Sequence, residues 1–145
     1  MFKHVLIPID GSPGARKALK AGIAFAKEVG ARVTAYHALE VIQPYYGEGF
    51  IAPAVLVPVE AAARKQAEKY LDEATRLAGA AGVPCQGQVS QPTTVYEGII
   101  AAAKKNECDV IFMASHGRGE LASLLLGSVT VKVLAHSKIP VVVFR

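Results

Sequence analysis

Residues Met113 to Val129 read M-A-S-H-G-R-G-E-L-A-S-L-L-L-G-S-V, and this stretch decides the fold. It opens as the end of an apolar strand that stops at Ala114, turns on Gly117 and Gly119, and closes on Gly127 before a serine. A strand, a turn of short residues and a helix start, in this order, aim several backbone N–H groups into one concavity. The stretch therefore predicts an α/β unit with a turn that suits a phosphate.

Five short apolar runs alternate with helical patterns along the chain, which is the rhythm of β-α-β units. The first, fourth and fifth runs are nearly continuous in apolar residues, as in strands that are covered on both faces. The pattern therefore predicts an open parallel sheet with helices on both faces. The predicted strands are His4–Ile9, Arg32–Ala38, Gln86–Val89, Val110–Ala114 and Val141–Phe144.

Four helices are predicted around these strands. The first has clear end signals, because Ser12 is a capping residue, Pro13 suits the first helical position and Gly30 can end the helix. Apolar residues at spacings of three and four indicate the others. These are Val59–Ala78, Thr94–Lys105 and Ser128–Ala135.

Residues Val41 to Pro58 form the one long predicted connection, and they are rich in glycine, proline and aromatic residues. A connection above roughly 12 to 15 residues in a small domain is usually functional or mobile. Two interpretations stay open: a lid or partner contact, and simple packing onto the domain.

Length and composition indicate one compact domain, residues 1–145. The chain has 145 residues, of which 52% are hydrophobic and 19% charged. No apolar run approaches the roughly 18 residues of a membrane-spanning helix, and Met1–Ile9 is too short for a signal peptide. We therefore expect no membrane association.

The two cysteines, Cys85 and Cys108, lack the spacing of a metal or redox motif, which favours a reduced, cytoplasmic location. The net charge is +4, but the sixteen lysines and arginines are scattered along the chain. Because nucleic-acid binding needs a basic stripe or patch, we expect no nucleic-acid partner.

Three blocks of sequence together resemble the universal stress protein family. The family's nucleotide-binding pattern is Gly, two residues, Gly, nine residues, then Gly followed by Ser or Thr. This chain matches it from Gly117 through Gly127-Ser128 but has Ala114 at the first glycine. The opening block V-L-I-P-I-D-G-S (Val5–Ser12) and the closing block I-P-V-V-V-F (Ile139–Phe144) extend the resemblance over the whole chain.

The resemblance implies a Rossmann-like fold of the adenine nucleotide alpha hydrolase type, with strand order 3-2-1-4-5. In that order the first and fourth strands flank the switch point, where ligands bind beyond the carboxyl ends of the strands. Pro8–Ser12 and Ala114–Gly119 would then face one crevice. Both segments replace apolar residues by Asp, Gly, Ser and His, which independently favours a site there.

The resemblance also implies ATP as the ligand, with magnesium on its phosphates near Asp10. It implies that the backbone of Ala38 meets the adenine, and that Gly117, Gly127, Ser128 and Thr130 cradle the phosphates. The full set of predicted binding residues is Pro8, Ile9, Asp10, Ala38, Ala114, Ser115, Gly117, Arg118, Gly127, Ser128, Val129 and Thr130.

Several alternatives remain open for these residues. Asp10 either contacts ribose, base or metal, or caps the turn before the first helix. Arg118 either reaches a terminal phosphate or lies on the surface. Ala114 is strained if its φ is positive, whereas at negative φ its methyl group only narrows the pocket. His116 has no accompanying nucleophile pattern, so we predict no catalytic role.

The function that the resemblance implies is an ATP-binding stress-response regulator that hydrolyses ATP slowly at most. It further implies a homodimer formed by pairing of the edge strand Val141–Phe144. The alternatives are a dimeric interaction protein that binds no nucleotide, which Ala114 favours, and a slow nucleotide hydrolase. No catalytic residue and no protein-only metal site are predicted.

Overall fold

The computed structural model describes residues 1–43, 45–46, 49–117 and 125–145. Its strands are β1 His4–Pro8, β2 Arg32–Ala38, β3 Tyr45–Tyr46, β4 Gly49–Phe50, β5 Cys85–Ser90, β6 Val110–Ala114 and β7 Val141–Phe144. Its helices are α1 Pro13–Val29, α2 Pro53–Ala80, α3 Val95–Lys105 and α4 Ser128–His136.

The main sheet has five strands in the order β5-β2-β1-β6-β7, all paired in parallel. Numbering only these five strands along the chain gives 3-2-1-4-5, so the predicted fold class and order are confirmed. Strands β1 and β6 are neighbours at the centre of the sheet. Their carboxyl ends, which follow Pro8 and Ala114, therefore lie side by side at the switch point.

Two hydrophobic cores lie on the two faces of this sheet. Val5 and Ile7 of β1 belong to the core beneath α1 and α2, whereas Leu6 belongs to the core beneath α3 and α4. All three side chains are fully buried. Burial of such a side chain contributes about 1.5 to 3 kcal/mol, so β1 is anchored from both faces.

Helix α1 begins and ends as its sequence signals predict. The Ser12 hydroxyl accepts a hydrogen bond from the Ala15 N–H, and Pro13 is the first helical residue. Gly30 adopts a left-handed conformation with φ of 70° and donates to carbonyls of the last turn. The helix is thereby fixed next to the carboxyl end of β1.

The predicted connection Val41–Pro58 is wrong in its second half. Helix α2 begins at Pro53 instead of Val59, and Pro58 lies inside it. The reason is that proline suits the first helical position, so Pro53 starts the helix that the later proline was expected to precede. In the first half, β3 and β4 pair as a short antiparallel hairpin.

The remaining differences are at element ends. Strand β5 is longer than predicted, helix α4 extends to His136, and β1 ends one residue early at Pro8. Thr94 precedes α3 as its N-cap residue. None of these changes moves the strand ends that form the crevice.

Candidate functional site

A crevice of about 380 Å³ opens beyond the carboxyl ends of β1, β2 and β6. Its walls also include residues of α2, α3 and α4. The volume lies within the range of roughly 300 to 1,000 Å³ that small-molecule sites occupy. Its position matches the rule that ligands of open α/β sheets bind at the switch point.

One wall of the crevice is apolar and comes from the face of the sheet beneath α3 and α4. Tyr36 and Met113 are buried strand residues, and Val95 and Ile99 belong to α3. Val95 and Ile99 are apolar residues at a helical spacing of four. Their spacing predicts burial but does not distinguish a core contact from a wall of a pocket.

Asp10 follows β1 and lies between the two strand ends. Its Oδ1 accepts a hydrogen bond from the Ser12 N–H at 2.9 Å. Its Oδ2 lies so near Gly117 that a Cβ atom at that glycine would be 3.1 Å away. Asp10 therefore fixes the turn before α1, as one of its two interpretations predicts, and also borders the turn after β6.

Gly11 is a position where only glycine fits. Its φ is +79°, and a Cβ atom there would collide with the ring of Tyr70. Tyr70 is a residue of α2 whose ring centroid is 5.4 Å from that of His37. The ring of Tyr70 thus packs directly on the turn that carries Asp10, a contact that the helical periodicity of α2 does not reveal.

His37 is bonded locally and also lines the crevice. Its Nδ1 is 2.7 Å from the Ile9 carbonyl oxygen. Because a carbonyl only accepts, Nδ1 carries the proton, and Nε2 of the neutral ring is left as an acceptor. His37 therefore adds an acceptor to the wall of the crevice.

Ala114, where the family pattern has glycine, is not strained. It is the last residue of β6 and pairs with Phe144 of β7. In the part of the chain that the structure describes, only Glu107 among the non-glycine residues has a positive φ. The methyl group of Ala114 therefore only narrows the crevice.

Two residues of the predicted phosphate cradle make hydrogen bonds within the protein. The Gly127 N–H donates to the Ser115 carbonyl at 2.6 Å. The Thr130 hydroxyl, which is buried, donates to the carbonyls of Ala114 and Ser115 at 3.0 and 3.2 Å. These bonds tie the start of α4 to the end of β6, so both residues position the site and neither group is available to a phosphate.

The start of α4 remains the principal source of backbone donors. Gly127 is its N-cap residue and, as a glycine, has no side chain that could cap the helix. The first N–H groups of a helix have no partner within the helix, and the helix dipole favours an anion there. The N–H groups of Val129 and Thr130 lie in this first turn, and both residues line the crevice.

His116 lies in the turn after β6. Its Nδ1 is 3.0 Å from the Ser115 hydroxyl. Its Nε2 is buried and has no hydrogen-bond partner among the residues that the structure describes. A buried polar atom without a partner lowers stability by about 1 to 3 kcal/mol. Other interactions therefore hold the turn in place despite this cost.

The structure brings most of the predicted binding residues together. Those that line the crevice are Pro8, Ile9, Asp10, Ala38, Ala114, Gly117, Val129 and Thr130. Ser115 and Gly127 are buried beside it, and Ser128 is exposed at the start of α4. Arg118 and Gly119 lie outside the described residues.

Two other kinds of feature are absent from the described ranges. Within them, no three His, Cys, Asp or Glu residues cluster as a metal site. None of the helices in the same ranges is long and apolar enough to cross a membrane.

Solved structures share this architecture. A universal stress protein from Lactobacillus plantarum has a TM-score of 0.84 at 21% identity, covering 99% of this chain and 98% of that one. A universal stress protein in complex with cAMP has a TM-score of 0.68 at 23% identity and covers 99% and 97%. One from Archaeoglobus fulgidus in complex with dAMP has a TM-score of 0.65 at 18% identity and covers 100% and 98%.

Sequence comparison agrees with the fold. A universal stress protein of Thermus aquaticus, encoded in the 3′ region of a sulfhydrylase gene, is 36% identical over 145 residues, the full length of both chains. The model of the universal stress protein family matches residues 1–145. With the fold, the crevice and these matches in agreement, the chain belongs to the universal stress protein family.

Proposed function

We propose that this protein binds ATP, carried with magnesium, in the crevice and acts as a dimeric stress-response regulator. The observation that carries the proposal is the meeting of Asp10, Gly117 and the start of α4 at one crevice. A ribose acceptor, a glycine open to close approach and a helix N-terminus are the parts that a nucleotide site needs. The relatives in complex with cAMP and dAMP support adenine nucleotides as the class of ligand.

In this proposal the adenine lies against the apolar wall formed by Tyr36, Val95, Ile99 and Met113. The backbone of Ala38, at the end of β2, meets the base. Asp10 receives hydrogen bonds from the ribose hydroxyls or holds magnesium on the phosphates. Because only main-chain groups of Ala38 take part, that position tolerates any small side chain.

The phosphates are proposed to lie between Gly117 and the start of α4. Donors there are the N–H groups of Val129 and Thr130 and the hydroxyl of the exposed Ser128. The predicted contact of Arg118 with a terminal phosphate stays a prediction from the sequence. Magnesium would offset the charge that the phosphates bring close to Asp10.

Regulation is a better account of this site than rapid catalysis. Phosphoryl transfer requires an aligned nucleophile and cations that neutralise the developing charge. The described residues that line the crevice include the carboxylates Asp10 and Glu40 and two histidines, but no lysine or arginine. We therefore propose slow hydrolysis at most, in the cytoplasm, where the free Cys85 and Cys108 remain reduced.

Calorimetric titration with magnesium-ATP tests the binding site. Gly117→Ala puts a methyl group 3.1 Å from Asp10 Oδ2, so we expect at least a tenfold loss of affinity. Gly79→Ala is the matched control, because its methyl group meets no atom within 4 Å. Equal affinity in both variants, with native circular dichroism, would place the nucleotide elsewhere.

A second candidate function is a dimeric interaction protein that binds no nucleotide. The methyl group of Ala114 favours it, because this residue narrows the crevice where the family pattern has glycine. Mass spectrometry of small molecules released by heating the purified protein separates the candidates. An adenine nucleotide in the released fraction supports the first, and its absence together with failed titration supports the second.

A further inference from the structure

The charge on the walls of the crevice differs from that of a typical polyphosphate site. Asp10 and Glu40 line the crevice, and no lysine or arginine is among the described residues that do so. Residues 118–124 add one cation and one anion to the sequence, Arg118 and Glu120. The described side chains that line the crevice therefore do not carry a net positive charge.

The position of Asp10 makes its charge important. Its Oδ2 borders Gly117, in the turn where phosphates are proposed to bind. A carboxylate there attracts hydroxyl donors and repels phosphate oxygens. The repulsion is stronger in a partly enclosed crevice than in bulk water, because the effective dielectric constant is lower.

The described neutral polar groups at the end of β2 add acceptors to the same side of the crevice. His37 Nδ1 donates to the Ile9 carbonyl, which leaves Nε2 as an acceptor. The Tyr36 hydroxyl is engaged with the Ser90 hydroxyl at 2.7 Å. The side chains at the end of β2 therefore present acceptors, which suit the hydroxyl and amino groups of a nucleoside.

Among the described residues at the crevice, the start of helix α4 is the main source of positive potential. A helix N-terminus is equivalent to about half an elementary charge. That is enough to attract one phosphate group and too little to balance three. Arg118, at the start of the segment outside the described residues, adds at most one charge.

We propose that this crevice selects adenine ligands by their net charge, with Asp10 and Glu40 as the specificity-determining residues. It prefers a nucleoside monophosphate or cyclic monophosphate to a metal-free polyphosphate. A polyphosphate enters well only when a divalent cation offsets its charge. This inference rests on the proposed nucleotide function and adds the charge class of the ligand.

Titration with adenosine, AMP, cAMP, ADP and ATP in the presence of EDTA tests the proposal. We expect affinity to fall at least tenfold from AMP to ATP, and magnesium to remove most of that difference for ATP. The difference should shrink at high salt, because screening weakens charge repulsion. Adenosine serves as the uncharged reference.

Two variants test whether Asp10 and Glu40 cause the difference in affinity between AMP and ATP. Glu40→Gln should reduce the difference in affinity between AMP and ATP by about two- to threefold. The effect is small because Glu40 is exposed and solvent screens its charge. Asp10→Asn should reduce this difference in affinity by about tenfold, although the substitution also weakens the binding of adenosine. Glu60→Gln is the matched control, because Glu60 is an exposed residue of α2 that does not line the crevice.

Each outcome has a definite meaning. Metal-free ATP that binds as tightly as AMP overturns the proposal. A gap that persists unchanged in both Glu40→Gln and Asp10→Asn overturns the assignment to these carboxylates. If adenosine and every nucleotide fail to bind, the proposed function itself is wrong, and this result is distinct from the first two.

Discussion

At the scale of single residues, Gly11 and Gly30 both have a positive φ but have different surroundings. Their φ angles are +79° and +70°. A Cβ atom at Gly11 collides with Tyr70, whereas one at Gly30 meets nothing within 4 Å. Comparison of substitutions at these two glycines therefore distinguishes the cost of backbone strain from the cost of a steric contact.

The first prediction uses this pair. Gly30→Ala should lower the free energy of unfolding by about 1 to 2 kcal/mol, the cost of the left-handed conformation for alanine. Gly11→Ala should cost more, because Tyr70 must also move, and it should weaken nucleotide binding through the displaced Asp10 turn. Urea unfolding and calorimetric titration measure the two effects. Similar losses in both variants would mean that the contact with Tyr70 has no energetic role.

His4 illustrates a buried group whose protonation state follows from its partners. Arg32 Nε donates to His4 Nδ1 at 3.0 Å, so His4 Nε2 carries the proton and donates to the Thr34 hydroxyl at 2.7 Å. Burial first, and then the charge of Arg32, lower the pKa of His4 below its usual 6.5. The folded protein thus holds this ring neutral.

The second prediction follows from that pKa. Below pH 6.5 the unfolded chain takes up a proton that folded His4 does not, so the stability that is fully present above this pH declines as the pH falls. Each pH unit between the unfolded and folded pKa values costs about 1.4 kcal/mol. Urea unfolding from pH 7.5 to 5 should show a steeper decline in the wild-type protein than in His4→Gln. Parallel curves would show that another group is responsible.

Residue identities in the site were predictable, but the roles of two of them were not. Asp10 and Gly117 were identified because sequence breaks after strands are visible locally. The roles of Gly127 and Thr130 depend on bonds to carbonyls that lie twelve to sixteen positions earlier in the chain. Such partners are set by how α4 docks onto β6, which no local pattern encodes.

At the scale of elements, helix α2 shows that a proline does not always mark a helix boundary. Pro58 is a proline inside the helix, in a stretch of residues 53–60 that is almost entirely exposed. Proline lacks the N–H that would donate to the carbonyl of Ala54, and Pro58 is the sixth residue of the helix, beyond the first turn in which such a donor has no partner. The sequence predicted a boundary at Pro58 because local patterns do not reveal which of two prolines starts a helix.

The third prediction tests this interpretation of α2. Pro58→Ala restores one backbone donor, so the opening free energy of the first turns should rise by about 1 to 3 kcal/mol. Hydrogen exchange at residues 59–63 measures it. Pro53→Ala is the control and should give no such gain, because the N–H at the first helical position has no partner within the helix. Unchanged exchange in Pro58→Ala would mean that these turns open for another reason.

The strands, in contrast, were predictable almost to the residue. Continuous apolar runs such as Val110–Ala114 reflect burial on both faces, which is a strong and local signal. The order of the strands came from the family resemblance, since no periodicity specifies which strands pair. The hairpin of β3 and β4 was missed because two-residue strands leave no pattern.

At the scale of the whole molecule, the sheet ends at β7, which is an apolar edge strand. Ile111 N–H donates to the Pro140 carbonyl, and Ser115 N–H donates to the Phe144 carbonyl. Because alternate residues of a strand direct their backbone groups to opposite sides, Val142 also faces β6. The N–H and C=O groups of Val141 and Val143 therefore face the free edge of the sheet.

The fourth prediction concerns the proposed homodimer. An uncovered apolar edge invites pairing with another chain, and a two-fold pairing of β7 with its copy satisfies the backbone groups of Val141 and Val143 in both protomers. Exposed Val131 and Leu134 of α4 lie on the helix that packs beside this strand and would add apolar contact. We therefore expect the wild-type protein to sediment as a dimer at micromolar concentration.

Substitutions along β7 distinguish edge pairing from other modes of association. Val143→Pro removes an outward N–H and leaves the bonds to β6 intact, so it should yield a folded monomer. Val143→Ala trims the side chain but keeps the donor and should remain dimeric. Val142→Pro removes a donor that faces β6, so it should lower the free energy of unfolding instead of acting on the dimer alone. Sedimentation velocity and urea unfolding separate these effects, and a Val143→Pro variant that stays dimeric would show that the two copies meet through a different surface.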